Sequence, residues 1–310
     1  MMKKTQSILF FILGLILFAN VAKGQQDPMF TQYNFNMQTI NAAYAGTWDR
    51  MGFLVMGRYQ WIGMDGAPTT YTFSMQSPTG LKNTAWGLNV IADKVGREKR
   101  ITLSADYSYR LQVSEKSSLR LGLKGGITNY SNPLTEYEQN VNAPTDVYTE
   151  DVDVKNIPNF GVGAFLSSDD YYVGLSVPKL IESDLTEGGV NYSAYAEMRH
   201  FYLSAGYVFE LGQNLKFKPT TLAKAVVGSP LQVDVTANFL LKDRIWLGGM
   251  VRWGDSFGFI GQFLFDDHIR IGYAIDFTTT ELSNAHNGIH EIMVSYELGV
   301  RKKWTTPRMF

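Results

Sequence analysis

The sequence predicts an all-β protein: a transmembrane antiparallel up-and-down β-barrel of about 14 strands. Three observations carry that reading. The chain opens with an export signal, and almost everything after it falls into segments whose apolar and polar residues alternate with period two. It then stops at an aromatic residue, Phe310, shortly after a strand-like run from Gly288 to Leu298.

The signal has three parts. Lys3 and Lys4 form a basic start, Ile8 to Phe18 is an apolar run, and Ala22-Lys23-Gly24 is a small-x-small cleavage site. The apolar run is shorter than the roughly 20 residues a spanning helix needs, and no stop-transfer pattern follows it. The mature chain is therefore expected to begin near Gln25 rather than to keep an uncleaved anchor. No later stretch is apolar for long enough to form a membrane helix, so the body is a soluble β protein or a barrel.

Composition narrows this further. There is no cysteine, which excludes disulfides, thiol catalysis, cysteine-held metals and a lipid-modified cysteine at the cleavage point. Stability must then come from burial or from the bilayer. A net charge of −1 provides no overall basic field for nucleic acid. Tyr and Phe dominate a 14% aromatic share, and those residues furnish the interfacial girdles of membrane barrels.

The strands follow in order, with starts near Gly52, Thr69, Ala85, Ile101, Ser118, Asn159, Tyr171, Arg199, Leu215, Leu231, Arg244, Ser256, His268 and Gly288. From Ile101 one face reads Ile101, Leu103, Ala105, Tyr107, Tyr109, Leu111, and the other Thr102, Ser104, Asp106, Ser108, Arg110, Gln112. Phe257, Phe259, Gly261, Phe263 and Phe265 make one face of a later strand, and Ile269, Ile271, Tyr273, Ile275 and Phe277 one face of the next. Successive side chains of a strand point to opposite faces, so every segment is two-sided. Every second connection is short, such as Val113–Ser117 and Lys242–Asp243, while the long ones (Ser131–Pro158, Val177–Met198, Thr278–Asn287) fall in the other set. Bacterial barrels have short periplasmic turns and longer external loops. An even strand count then puts both termini on the periplasmic side.

A soluble β-sandwich also alternates. Against it stand the length of the segments, many reaching the 9–11 residues of a tilted spanning strand, and the regularity of the tight turns. The domain reading is residues 1–24 as signal, 25–45 as a periplasmic lead or plug, 46–300 as barrel, and 301–310 as a basic periplasmic tail.

The polar face mixes Arg58, Arg110, Arg120, Lys124, Lys218, Lys224, Arg252 and Arg270 with Asp106, Glu210, Asp234, Asp276, Glu291 and Glu297. In a confined space such charges pair into networks, because an unpaired buried charge is costly. Arg58, Asp106, Arg110, Arg252 and Asp276 are the candidates for a lumen network. A pore selective for one sign would show a ring of one sign, so the pattern favours a plugged or constricted barrel.

Enzyme signatures are missing. The four histidines, His200, His268, His286 and His290, form no metal pair and read as loop or rim residues, and His290 and Glu291, as neighbours on a strand, point to opposite faces. There is no nucleophile elbow and no phosphate loop. The acidic cluster Asp146, Glu150, Asp151, Asp153 reads as a solvated loop rather than a Ca²⁺ site. No metal, cofactor or catalytic residue is expected.

The lead carries the most specific signal. Gln26-Asp27-Pro28-Met29-Phe30-Thr31-Gln32-Tyr33, Asn36 and Asn41-Ala42-Ala43-Tyr44-Ala45-Gly46 resemble the opening of the PorP/SprF family of Bacteroidetes outer-membrane proteins. Arg58-Tyr59-Gln60-Trp61-Ile62-Gly63, Pro158-Asn159-Phe160-Gly161-Val162-Gly163, Arg199-His200-Phe201-Tyr202, His290-Glu291-Ile292 and Pro307-Arg308-Met309-Phe310 fit it too. Ala42 stands where the family usually has proline. The resemblance implies a non-enzymatic component of the type IX secretion system, which exports proteins bearing a carboxy-terminal sorting domain. It implies periplasmic ring and peptidoglycan-associated partners, with some members serving adhesins of gliding, and it gives no catalytic residues.

Three groups of residues follow as partner candidates. Asp27, Pro28, Phe30, Gln32, Tyr33, Asn41 and Tyr44 belong to a lead that folds into the lumen or meets a periplasmic partner. Trp61, Gly63, Asp65, Gly66 and Pro68 form a fixed external loop for a secreted client. Pro307, Arg308 and Phe310 close a basic tail that meets an acidic partner or serves insertion machinery. A small-solute diffusion channel is the alternative function, and a surface lipid hydrolase the third.

Overall fold

The computed structural model describes residues 27–133, 151–183, 186–187, 190–191, 197–266 and 268–298. Fourteen antiparallel strands close into a cylinder. They are β1 (Gly52–Tyr59), β2 (Thr69–Pro78), β3 (Thr84–Val95), β4 (Glu98–Gln112), β5 (Ser118–Asn132), β6 (Val152–Ser167) and β7 (Tyr171–Val177). Then come β8 (His200–Tyr207, resumed as Phe209–Gly212), β9 (Leu215–Val226), β10 (Gln232–Leu241), β11 (Ile245–Arg252), β12 (Ser256–Leu264), β13 (Ile269–Thr278) and β14 (Ile289–Glu297). Each strand pairs with its sequence neighbours, and β1 closes the ring on β14, from Gly52 opposite Glu297 to Tyr59 opposite His290.

The alternation turns inside out relative to a soluble protein. Leu103, Leu123, Val235 and Phe259 are exposed on the outer face, while Ser104, Asp106, Lys124 and Asp234 are buried within. Such an apolar exterior requires lipid around it, which is what a sandwich with a buried apolar face would lack. No described helix is long and apolar enough to cross a membrane.

The connections sort onto two rims. Among the described residues, 79–83, 113–117, 168–170, 213–214, 242–244, 265–266 and 268 make the short-turn rim; 60–68, 96–97, 178–183, 197–199, 227–231, 253–255 and 279–288 lie on the other, the long-loop rim. The wall is uneven. Strands β4, β5 and β6 run to 15, 15 and 16 residues, against 8 in β1 and 7 in β7. β6 begins at Val152, not near Asn159, because the pairing slips between Thr128 and Tyr130 and Asn156 has φ 56°. That irregularity interrupts the period of two, so the first residues of β6 look like loop. β4 likewise starts three residues before Ile101, directly after a turn at Gly96.

The sequence reading sets the lead ahead of β1 at the short-turn rim, either folded into the lumen or free to meet a periplasmic partner; its start lies elsewhere. The structure puts Asp27 beside Arg100, Lys179 and His200, all at the long-loop rim, and the segment then runs through the cylinder to reach Gly52. Three single 3₁₀ turns, Tyr33–Phe35, Met37–Thr39 and Ala42–Tyr44, fold it along the way.

If the outer face is solvated by acyl chains, Leu123→Arg should destabilise the barrel by about 2–4 kcal/mol, the cost of a cation near the bilayer midplane. Reversible refolding into lipid vesicles measures it. A change within ±0.5 kcal/mol, typical of a water-exposed site, would contradict the lipid-facing assignment.

Candidate functional site

The candidate site is the filled lumen and the recess above it. From Phe30 to Ala45 every residue of the lead except Ile40 is buried, polar ones included. A segment this rich in amides and hydroxyls can be buried only where its polar atoms find partners, and the barrel wall provides them from nearly every side.

Near the long-loop rim the Thr31 and Gln32 backbone N–H groups donate to the two carboxylate oxygens of Glu291, at 2.8 and 3.0 Å. Arg58 is ion-paired with that same carboxylate and lies 3.4 Å from Asp276, which also accepts from the Thr31 hydroxyl. Arg58 and Glu291 stand directly opposite each other across the β1–β14 pairing. Deeper, Gln262 Nε2 donates to Gln32 Oε1 at 3.0 Å, and Asn34 Nδ2 donates to Thr220 and Thr236 at 2.8 and 3.1 Å. Tyr33 and Thr220 share a hydroxyl contact of 3.0 Å. Phe35 packs edge-on to Trp246, with Lys218 over both rings.

Towards the short-turn rim the lead crosses the lumen. Gln38 Nε2 donates to the Met75 carbonyl at 3.0 Å and to Asp106 at 3.1 Å, and Lys124 donates to the carbonyls of Gln38 and Thr39 at 3.1 and 3.2 Å. Asn41 caps the last turn through Ala43 N–H and donates to the Ala164 carbonyl. Tyr44 packs edge-on to Phe165. A side chain on Gly122 would meet the Ala43 nitrogen at 2.2 Å, and one on Gly163 would meet the Asn41 amide oxygen at 2.1 Å. Those two glycines make the room the lead occupies.

The expected lumen residues divide. Arg58 and Asp276 bind the lead directly, and Asp106 joins it through Gln38 while pairing with Lys124 at 3.3 Å. Arg252 grips Asp234 with two bonds of 2.9 and 2.8 Å. Arg110 stands apart, half-exposed at the short-turn rim, 3.7 Å from Asp49. Glu210 stands opposite Lys216, on the inner-face side, but the four residues after Val208 are all exposed, so it lies beyond the filled lumen. His290 and Glu291 do face opposite ways, the histidine towards Tyr273 and the glutamate inward.

Asp27 and Pro28 line a small recess near the long-loop rim, together with Phe30, Thr39 and Ile40 of the lead and Thr102, Ser104 and Thr128 of the wall. Asp27 contacts Lys179 at 3.1 Å, His200 at 3.7 Å and Arg100 at 3.8 Å. Burial works to raise its carboxyl, but Lys179, His200 and Arg100 outweigh that and hold it well below the usual carboxylate range. Lys179 also pairs with Glu197 at 3.2 Å, and Glu197 accepts from Asn159 at 2.8 Å. This cluster was not foreseen, since its members come from four separate stretches of chain. His200 is a buried part of it rather than a loop histidine.

The 60–68 loop is fastened on both sides. Ile62 exchanges backbone hydrogen bonds with Gly288 and Asn287, Gly66 accepts from Gly96 at 2.8 Å, and Trp61 lies against His286. Gly63 and Gly66 have φ of 96° and 74°, which glycine adopts without strain. Asp65 is exposed and Pro68 buried. Pro307, Arg308 and Phe310 lie outside the described residues, as do Asp146 and Glu150. Among the described residues no group of three or more His, Cys, Asp or Glu could hold a metal ion.

A family model described as the type IX secretion system membrane protein PorP/SprF matches residues 22–296. The chain belongs to that family. It is a membrane protein of the type IX secretion system built as an outer-membrane β-barrel. No curated protein matches it as a relative. Among solved structures it is similar to the Acinetobacter baumannii outer membrane protein Omp33, at 10% identity over 79% of this chain and 97% of that one, TM-score 0.48. It is also similar to a Pseudomonas aeruginosa FadL homologue, at 13% identity over 90% and 96%, TM-score 0.46. The CymD monoaromatic hydrocarbon channel is similar at 11% identity over 88% and 94%, TM-score 0.49.

Two outcomes follow for this PorP/SprF barrel. Arg58→Ala leaves Glu291 and Asp276 buried without their shared cation, so about 3–5 kcal/mol should be lost, read as a lower Tm and as new protease cleavage within residues 30–46. For Asp27 the folded carboxyl is depressed, so its contribution is present above the unfolded value and lost as pH falls through the folded one. Wild type and Asp27→Asn should therefore keep their difference from about pH 8 to about pH 5, where His200 adds to it as it charges, and converge only in stronger acid. Convergence between pH 8 and 6 would contradict the ion-pair account.

Proposed function

We propose that this protein is a non-enzymatic docking component of the type IX secretion system. In this reading it supports secretion or surface attachment of proteins with carboxy-terminal sorting domains and does not conduct them. The observation that carries it is the lead, folded into the lumen and bonded to wall residues around the ring. A cylinder occupied in that way is poorly suited to free diffusion of solutes, which argues against the channel alternative.

Two surfaces remain for partners. The short-turn rim, taken as periplasmic by the usual barrel asymmetry, faces the periplasmic ring and peptidoglycan-associated proteins, and the basic tail (Pro307, Arg308, Phe310) adds to it. The long-loop rim faces a secreted client. Its 60–68 loop is pinned to both neighbouring loops, so it meets a partner with little further loss of conformational entropy. Nothing in the site requires catalysis, and outer-membrane lipid is the only other neighbour the exterior calls for.

Affinity isolation from native membranes, paired with a deletion strain, tests the reading. Ring components and a client should accompany the tagged protein, and deletion should abolish secretion or surface retention of that client. Isolation without either, with secretion normal in the deletion strain, would overturn it. Steady conductance from the purified protein in a planar bilayer would favour solute diffusion instead.

A further inference from the structure

The path of the lead through the barrel has a topological consequence. Its contacts change in order along the chain. Asp27 is held by Arg100, Lys179 and His200 at the long-loop rim. Gln38 and Asn41 are bonded in the half nearer the other rim, to Met75 and Ala164. At the short-turn rim Arg50 lies 3.9 Å from Glu297, and the Leu298 N–H donates to the Met51 carbonyl.

We infer that the mature amino terminus leaves the barrel at the long-loop rim, so that the two ends of the mature chain lie on opposite sides of the outer membrane, the amino end at the cell surface. Chain continuity demands that whatever precedes Asp27 starts where Asp27 is. Below Asp27 the lead itself crosses the lumen, Gln38 bonded to Asp106 and Lys124 to the Gln38 and Thr39 carbonyls. The opening left is the one at the long-loop rim.

The inference rests on the proposed orientation, long loops outward, and on removal of the signal near Gln25. It has a functional side. A periplasmic partner cannot grasp the free end of the lead, so periplasmic contacts fall to the short-turn rim, while a surface partner approaching the recess meets the amino terminus and the Asp27 cluster beside it.

The natural chain has no cysteine, so single cysteines report cleanly. One cysteine is carried in the middle of an eight-residue Gly/Ser insertion between Gln25 and Gln26, where it can reach roughly 15 Å from Asp27. Trp253→Cys marks the long-loop rim, where the side chain is 84% exposed, and Leu81→Cys marks the short-turn rim, 71% exposed. Intact cells are treated with a membrane-impermeant maleimide, with and without outer-membrane permeabilisation. The amino-terminal insertion should label in intact cells to within about two-fold of Trp253→Cys, while Leu81→Cys labels only after permeabilisation. An insertion that labels only after permeabilisation, with Trp253→Cys labelled in intact cells, overturns the inference and leaves the orientation standing. Labelling of Leu81→Cys but not Trp253→Cys in intact cells overturns the orientation itself. Amino-terminal sequencing of the purified protein checks signal removal; an intact signal on assembled barrel would overturn the inference separately.

Discussion

Closing fourteen strands into a ring makes an interior that the wall's own side chains do not fill, and the rest of the structure answers that constraint. Barrels of about eight strands are just filled by side chains, whereas 16–18 strands leave an aqueous channel. Here the chain supplies its own filling. The lead brings donors and acceptors to wall residues such as Thr220, Asp106 and Glu291, and each bond satisfies a buried group on both sides at once. The wall in turn yields space, with glycine at Gly122 and Gly163 where the lead presses closest.

This explains the mixed charge of the lumen without invoking a selective pore. Arg252 is matched to Asp234, Lys124 to Asp106, and Arg58 to Glu291 and Asp276. Two of those three groups also hold the lead, Lys124 through backbone carbonyls and Glu291 through backbone N–H groups. Charge here fixes a segment in place. In a confined interior that use of ionic groups favours one arrangement over its alternatives, since any shift of the lead strands a buried charge.

The strands were legible because lipid on one side and a polar lumen on the other force period two along every segment. Twelve of the fourteen starts lie within a residue of the sequence reading, β4 and β6 being the departures, and β6 fails where the Asn156 irregularity hides seven residues of strand. The alternation carries through the break at Val208 to Glu210, opposite Lys216, but there the strand runs out into solvent. The path of the lead was not legible. Single 3₁₀ turns carry no long period, and a segment of amides, threonines and aromatics reads equally as a tether or as filling. A local signal did exist, in the inward-facing glycines Gly122, Gly163 and Gly174 on three adjacent strands, each of which lies against the lead. The Asp27 cluster left no pattern at all, since Asp27 and Arg100 come from stretches far in sequence from Lys179, Glu197 and His200.

Seating of the lead and closure of the ring share the same atoms. Glu291 sits on β14 opposite Arg58 on β1, so their ion pair crosses the seam at which the first and last strands meet. The same carboxylate accepts from the Thr31 and Gln32 N–H groups, and Arg58 also reaches the Thr31 hydroxyl at 3.4 Å. Without the lead, Glu291 loses two donors in a buried site; without the seam, those N–H groups have nothing to donate to. Each event therefore stabilises the other. The order is constrained as well: a segment fixed at both rims and bonded in between enters a sheet that is still open far more readily than a closed cylinder, whose lumen it would have to thread end to end. The most non-local contacts of the fold, joining residues about 260 positions apart, are then formed together with the last strand pairing, where the loop-closure cost of all of them is met in one step.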